Sequence, residues 1–163
     1  MHQDANDQIP PASLELERRG ISHRVFRHAG VVTSLEQAAE ERGQRPEQVV
    51  RSILFRLPRG HFVMVLARGG AQISWRKLRQ HLSQNRLTLA TEDEVLRITG
   101  YAIGAVSPFG LRQRVRILVD RQVLEEEQIS IGAGWANTGL ILGSQDLMNA
   151  LTGAEILDLV EGA

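Results

Sequence analysis

Residues 51–68 constrain the fold most. RSILFRL runs into Pro58-Arg59-Gly60 and out again as HFVMVLAR, two apolar-rich runs joined by a turn. In the first run Ile53, Phe55 and Leu57 alternate with Ser52, Leu54 and Arg56, the period of two that sends successive side chains to opposite faces. This is a β-hairpin. Its apolar faces need further layers to cover them, so the rest of the chain has to supply more sheet and helices.

The flanking segments supply both. Residues 1–11 (MHQDANDQIPP) are polar with a double proline and read as a flexible tail, leaving residues 12–163 as one domain. Ser13 to Arg19 predicts a short helix stopped by Gly20, and His23 to Arg27 a strand. Thr33 with Glu36 has the spacing of a capping box, ahead of Leu35, Ala38 and Ala39, with Gly43 as the stop. Ser74 is placed to cap a helix carrying Leu78 and Leu82. Leu87 to Leu89 reads as a brief strand. Thr91 and Glu94 repeat the capping box before Val95, Leu96 and Ile98, closed by Gly100. Strands are expected around Ala105, at Val115 to Val119, Ile129 to Ile131 and Leu140 to Leu142. Ser144 is expected to cap a last helix through Ala150, before a terminal strand from Ile156 to Val160. Helices and strands interleave without a strict βαβ repeat. The fold class is therefore α/β (α+β): a single domain with a mixed, mostly antiparallel sheet or partly closed barrel and flanking helices.

Several function classes drop out. The five histidines, His2, His23, His28, His61 and His81, have no metal-ligand spacing. There is no cysteine, and no GxSxG elbow, Walker loop or dinucleotide-binding glycine fingerprint. The 19 basic and 19 acidic residues cancel, which argues against bulk, sequence-independent nucleic-acid binding. No apolar run approaches a membrane span, the first ten residues do not read as a secretory signal, and the expected location is cytoplasmic. Lys77 is the only lysine among the 19 basic residues.

Two glycine-rich segments stand out. GYAIGAVSPFG, residues 100–110, holds three glycines, Ser107 and Pro108 directly after a capped helix. Glycine lets backbone N–H groups approach a ligand, and such a loop can present them to a developing oxyanion; a tight helix-to-strand connection would use the same residues. GAGWANTG, residues 132–139, sits between two predicted strands, either as a plain hairpin loop or as a pocket wall offering Asn137 and Thr138. Arg51 opens the first long strand, where a surface role is the ordinary one.

VVRSILFR, GYAIGAVSPFG and GAGWANTGLILGSQDL, in this order and spacing, resemble the YbaK and prolyl-tRNA-synthetase-associated (editing insertion) domain family, from about His23 to Val160. Gly104 to Pro108 fits the family's GxxxP signature, and Ser144 to Leu147 resembles its late helix start, with Asp146 in the acidic position. The resemblance implies an aminoacyl-tRNA deacylase that hydrolyses the ester of a tRNA mischarged with a small amino acid of the Cys, Ala, Ser or Thr type. It implies action in trans and no cofactor. It also implies the tRNA 3′ end as partner, with a synthetase or elongation factor as possible helpers and no membrane. Arg51, Gly104 and Ser107 fall on catalytic positions, and His28, Pro108, Gly134, Asn137, Thr138 and Asp146 on substrate-binding ones. This chain departs from the family at Arg51, where the family has Lys; guanidinium stays protonated and cannot serve as a base. Gly132 and Ala133 supply neither the serine nor the histidine found there in parts of the family. A non-catalytic module that binds aminoacyl-tRNA or an amino acid with the same pocket is the alternative function.

Overall fold

The computed structural model describes residues 8–162. Residues 1–7 of the expected tail lie outside the described residues, and Pro11 already opens the first helix. The order is α1 (Pro11–Arg18), β1 (Arg24–Arg27), α2 (Leu35–Glu41), β2 (Val50–Arg56), β3 (Phe62–Arg68), α3 (Trp75–Leu82), β4 (Thr88–Leu89) and α4 (Glu92–Thr99). It continues with β5 (Arg116–Asp120), β6 (Gln128–Gly132), β7 (Thr138–Gly143), α5 (Ser144–Ala150) and β8 (Glu155–Leu157).

The strands make two sheets. One is antiparallel in the order β1-β7-β6; the other runs β4-β2-β3-β5-β8, with β3-β5 and β5-β8 parallel. The fold is thus mixed and mostly antiparallel, with the sheets remaining separate rather than closing into a barrel. Alternation along the central hairpin divides the interior. Val50, Leu54, Met64 and Leu66 face the small sheet, meeting Ile129, Ile131, Leu140 and Leu142 together with α1, α4 and α5. Phe55, Val63, Val65 and Ala67 face the other way, under Leu78 and Leu82 of α3. Covered on both faces, β3 is apolar almost throughout, as a central strand should be.

The Pro58–Gly60 turn, the Ser74 cap and the Thr91–Glu94 capping box are all present. Three local expectations are corrected. The cap of α2 is Ser34, whose Oγ accepts from Gln37 N–H, while Gln37 Oε1 accepts from Thr33 N–H; the capping interaction is shifted by one residue from Thr33. Ser144 is the first residue of α5 and makes no side-chain cap, its N–H donating to the Glu127 carbonyl instead. No strand forms around Ala105: residues 101–115 are irregular, anchored by buried Tyr101, Ala105 and Phe109. Among the described residues no helix is long and apolar enough to cross a membrane.

Candidate active site

β2 pairs with β3 along its whole length, but on its other side β4 reaches only Phe55 and Arg56. Ala90 N–H donates to the Leu54 carbonyl, so the peptide groups that face this side at Leu54 also face it two residues earlier, at Ser52. Along this open edge lies a cavity of about 400 Å³. Val50, Ser52 and Leu54 form one wall; Gly104 and Val106 come from the loop after α4, Ile131 and Gly132 from β6, and Thr138 from β7. Exposed Leu89 and Ile103 stand at its rim.

The loop and β6 meet closely. A Cβ on Gly132 would fall 2.0 Å from the Val106 carbonyl oxygen, so only glycine permits the approach. Gly104 takes φ +90°, a conformation that L side chains rarely adopt. Ala105 N–H is committed to the Ala102 carbonyl, whereas the N–H groups of Gly104 and Val106 make no hydrogen bond among the described residues. Ser107 is fully buried, its Oγ accepting from Phe109 N–H (3.3 Å), and it does not line the cavity. Its hydroxyl shapes the loop from inside.

Two arginines line the cavity. Arg51 leaves β2 on the α3 side of the sheet, with Ile53 and Phe55, and its Nη2 donates to the Ala71 carbonyl. Its Nε and the neighbouring Ser52 Oγ are buried without a hydrogen-bond partner. Arg42, at the C-terminal end of α2, reaches in from the opposite wall. Its Nε donates to His28 Nε2 (3.1 Å) and its Nη1 to Ser130 Oγ (2.9 Å), which in turn donates to Gln44 Oε1 (2.7 Å). Because His28 Nε2 accepts, the ring proton sits on Nδ1 and donates to Glu41 Oε1 (3.1 Å). That bond holds the Glu41 carboxyl below the usual carboxylate range. Partial burial pushes Arg42 below its ordinary value, opposed by the charge of Glu41. No aspartate, glutamate, histidine or lysine lines the cavity.

The remaining sequence candidates are spread around this centre. Thr138 lines it. His28, its side chain sealed from solvent, stands behind Arg42. Asn137 braces the 28–32 segment, its Oδ1 accepting from Val32 N–H and its carbonyl from His28 N–H. Gly134 packs on Tyr101 and ties the second glycine loop to the first through N–H to the Ala105 carbonyl. Pro108 lines a different cavity, of about 970 Å³, and Asp146 a third. The larger cavity contains neither Arg51 nor Gly104, and its Arg19 and Arg116 are tied to Ala150 and Glu155. Arg42 is the residue that sequence reasoning missed.

Residues 28–150 match the model of the aminoacyl-tRNA editing domain. A proline–tRNA ligase from Kosmotoga olearia is 36% identical over 115 residues, covering 69% of this chain and 20% of the ligase. One from Streptococcus pneumoniae is 30% identical over 112 residues, covering 67% and 18%. The chain thus spans a fifth or less of the length of these curated relatives. A crystal structure described as a candidate trans-editing enzyme for prolyl tRNA synthetase superposes with a TM-score of 0.86 at 27% identity, over 93% of this chain and 96% of that one.

Proposed function

The chain belongs to the aminoacyl-tRNA editing domain family, and on that premise we propose that it hydrolyses, in trans, the ester joining a wrong amino acid to a tRNA 3′ end. The observation that carries this reading is the β2-edge cavity, which is lined by Arg42 and Arg51 and by Gly104 and Val106, whose N–H groups are uncommitted, with no acidic residue or histidine on its lining. Orphaned Arg51 Nε and Ser52 Oγ at the same stretch support a polar ligand there.

An aminoacyl ester is already activated, so orientation and oxyanion donors are worth more than a nucleophilic side chain. In the proposed step a water, held by the free hydroxyl of the terminal ribose, adds to the carbonyl carbon. The N–H groups of Gly104 and Val106 receive the developing oxyanion, and Arg51 orients the substrate. The acyl–oxygen bond breaks, the ribose oxygen takes up a proton, and amino acid and tRNA leave. The lining contributes no general base, so the proton passes to solvent or to the substrate's own oxygen. Thr138 bounds the acyl pocket, and Ser107, Pro108, Gly134 and Asn137 hold the two loops in place. We take residues 12–163 as the editing unit.

The relatives are proline–tRNA ligases, so the expected substrate is proline tRNA carrying Cys, Ala, Ser or Thr. The balanced net charge gives little general attraction to tRNA, which makes presentation by a synthetase part of the proposal. The test is deacylation of tRNAs mischarged with Cys, Ala, Ser, Thr and Pro by the wild type, Arg51→Ala and Arg51→Lys. Hydrolysis of one small-residue species, lost in Arg51→Ala, is the expected result. Tight binding of these tRNAs with no turnover would favour the binding module.

A further inference from the structure

Arg42 enters the cavity as a cation with no carboxylate in direct contact, the charge of Glu41 reaching it only from beyond the His28 ring. Both groups that fix it, His28 Nε2 and Ser130 Oγ, are neutral. No carboxylate lies within ion-pair distance of it among the described residues, and Glu41, the acid beside it in sequence, is hydrogen-bonded to the far side of the His28 ring. Its Nη2 donates to no described group and is not sealed from solvent. The guanidinium lies against the Cα of Gly139, where a Cβ would fall 2.5 Å from Cζ. A guanidinium drawn partly out of water and hydrogen-bonded directly only to neutral groups is held at a cost, and an arriving anion offsets it. Arg51, by contrast, already has its Nη2 on the Ala71 carbonyl.

We propose that Arg42 is an anion-binding residue of this site, its Nη2 taking the phosphate of the substrate's terminal nucleotide, with Glu41 and His28 fixing its aim. The identity of the substrate rests on the deacylase reading above. An aminoacyl ester has no carboxylate; the anion closest to the ester in an aminoacyl-tRNA is the phosphodiester on the 5′ side of the terminal nucleoside. A planar guanidinium fork matches phosphate oxygens, and a hydrogen bond between two charged groups is the stronger kind. Glu41 accepting from Nδ1–H leaves Nε2 free to accept from Arg42, which fixes the plane of the fork. His28 acts through Arg42 and is a positioning residue.

The experiment compares adenosine with adenosine 5′-monophosphate, first as ligands by calorimetry and then as their 3′-alanyl esters. The wild type is expected to bind the monophosphate about ten- to a hundredfold more tightly, with a KM preference in the same direction for its ester. Arg42→Met is expected to abolish both preferences. Gly139→Ala keeps every polar group of the network but pushes the guanidinium aside, and is expected to reduce them, which tests aim separately from charge. His28→Phe is expected to weaken the phosphate preference in KM more than it lowers kcat. A wild type indifferent to the phosphate would overturn the proposal, as would a preference that survives Arg42→Met and disappears in Arg51→Met. A wild type that selects the monophosphate through Arg42 yet hydrolyses neither ester would support the phosphate site and sink the deacylase reading.

Discussion

Gly132 and Gly139 both border the cavity's end of the small sheet, and they lack a side chain for different reasons. At Gly132 an added Cβ meets backbone, the Val106 carbonyl at 2.0 Å. Nothing there can swing away, so the loop carrying Gly104 has to part from β6. Gly132→Ala is expected to cost about 1–3 kcal/mol and to lower Tm by roughly 2–12 °C, with the proposed deacylation lost. At Gly139 the added Cβ meets only the end of the Arg42 side chain, at 2.5 Å. That group can move, so Gly139→Ala is expected to cost under ~1 kcal/mol in a denaturant melt while still impairing the site. Equal destabilisation by the two substitutions would contradict this division. The sequence exposes this part of the site unevenly. Arg51, Gly104 and Thr138 sit in conspicuous segments and do line one cavity. Arg42 was illegible because a basic residue at a helix C-terminus, just before glycine, is what the helix dipole and the αL stop favour anyway. Its partners lie 14 and 88 residues away, and only the packed fold brings them to it. Ser107 was misleading in the opposite sense, since a serine in a glycine loop looks available until burial is known.

Elements were more legible than contacts, because hydrophobic period and cap chemistry are local. The hairpin of β2 and β3 and the Thr91–Glu94 box on α4 could be read directly. The segment around Ala105 misled because its apolar residues are spent on loop anchoring, with Tyr101 Oη donating to the Phe109 carbonyl and Phe109 buried. The start of α2 misled because Thr33 and Ser34 offer the same chemistry one residue apart, and tertiary placement selects Ser34. That assignment can be measured. Ser34→Ala removes the acceptor of Gln37 N–H and is expected to cost about 1 kcal/mol. Thr33→Ala removes only a hydroxyl that donates to Gln37 Oε1, leaving the Thr33 N–H bond in place, and is expected to cost less than half as much. Thr91→Ala, on a helix that covers the cavity with Val95, is expected to match Ser34→Ala in a urea melt at about 1 kcal/mol. If Thr33→Ala proved the costlier of the α2 pair, the cap would belong where the spacing first placed it.

At the scale of the molecule, the five-stranded sheet is completed by β8, which arrives from α5 to pair in parallel with β5. Its three residues make a short ladder, and a charge cluster reinforces the seam. Glu155 on β8 accepts from Arg116 on β5 at both oxygens (2.7 and 3.0 Å), and His81 on α3 lies 3.1 Å from Oε1. The Arg116 guanidinium foremost, and His81 after it, draw the Glu155 carboxyl down to about 2, while Glu155 raises Arg116 further. The folded-state value lies below the ordinary carboxylate value of 4.5, so the folded protein favours the ionised form. The contribution is fully present above that value and is lost as the pH falls through about 2. The cluster is partly exposed, so its worth is small and diminishes with added salt. Wild type and Glu155→Gln, unfolded in urea at low salt, are therefore expected to differ at neutral pH and to converge between pH ~4.5 and ~2. A gap unchanged across that window would mean that Glu155 holds the seam by packing and neutral hydrogen bonds. A gap absent at neutral pH would mean that the apolar ladder of β8 and the α3 cover suffice to close the sheet.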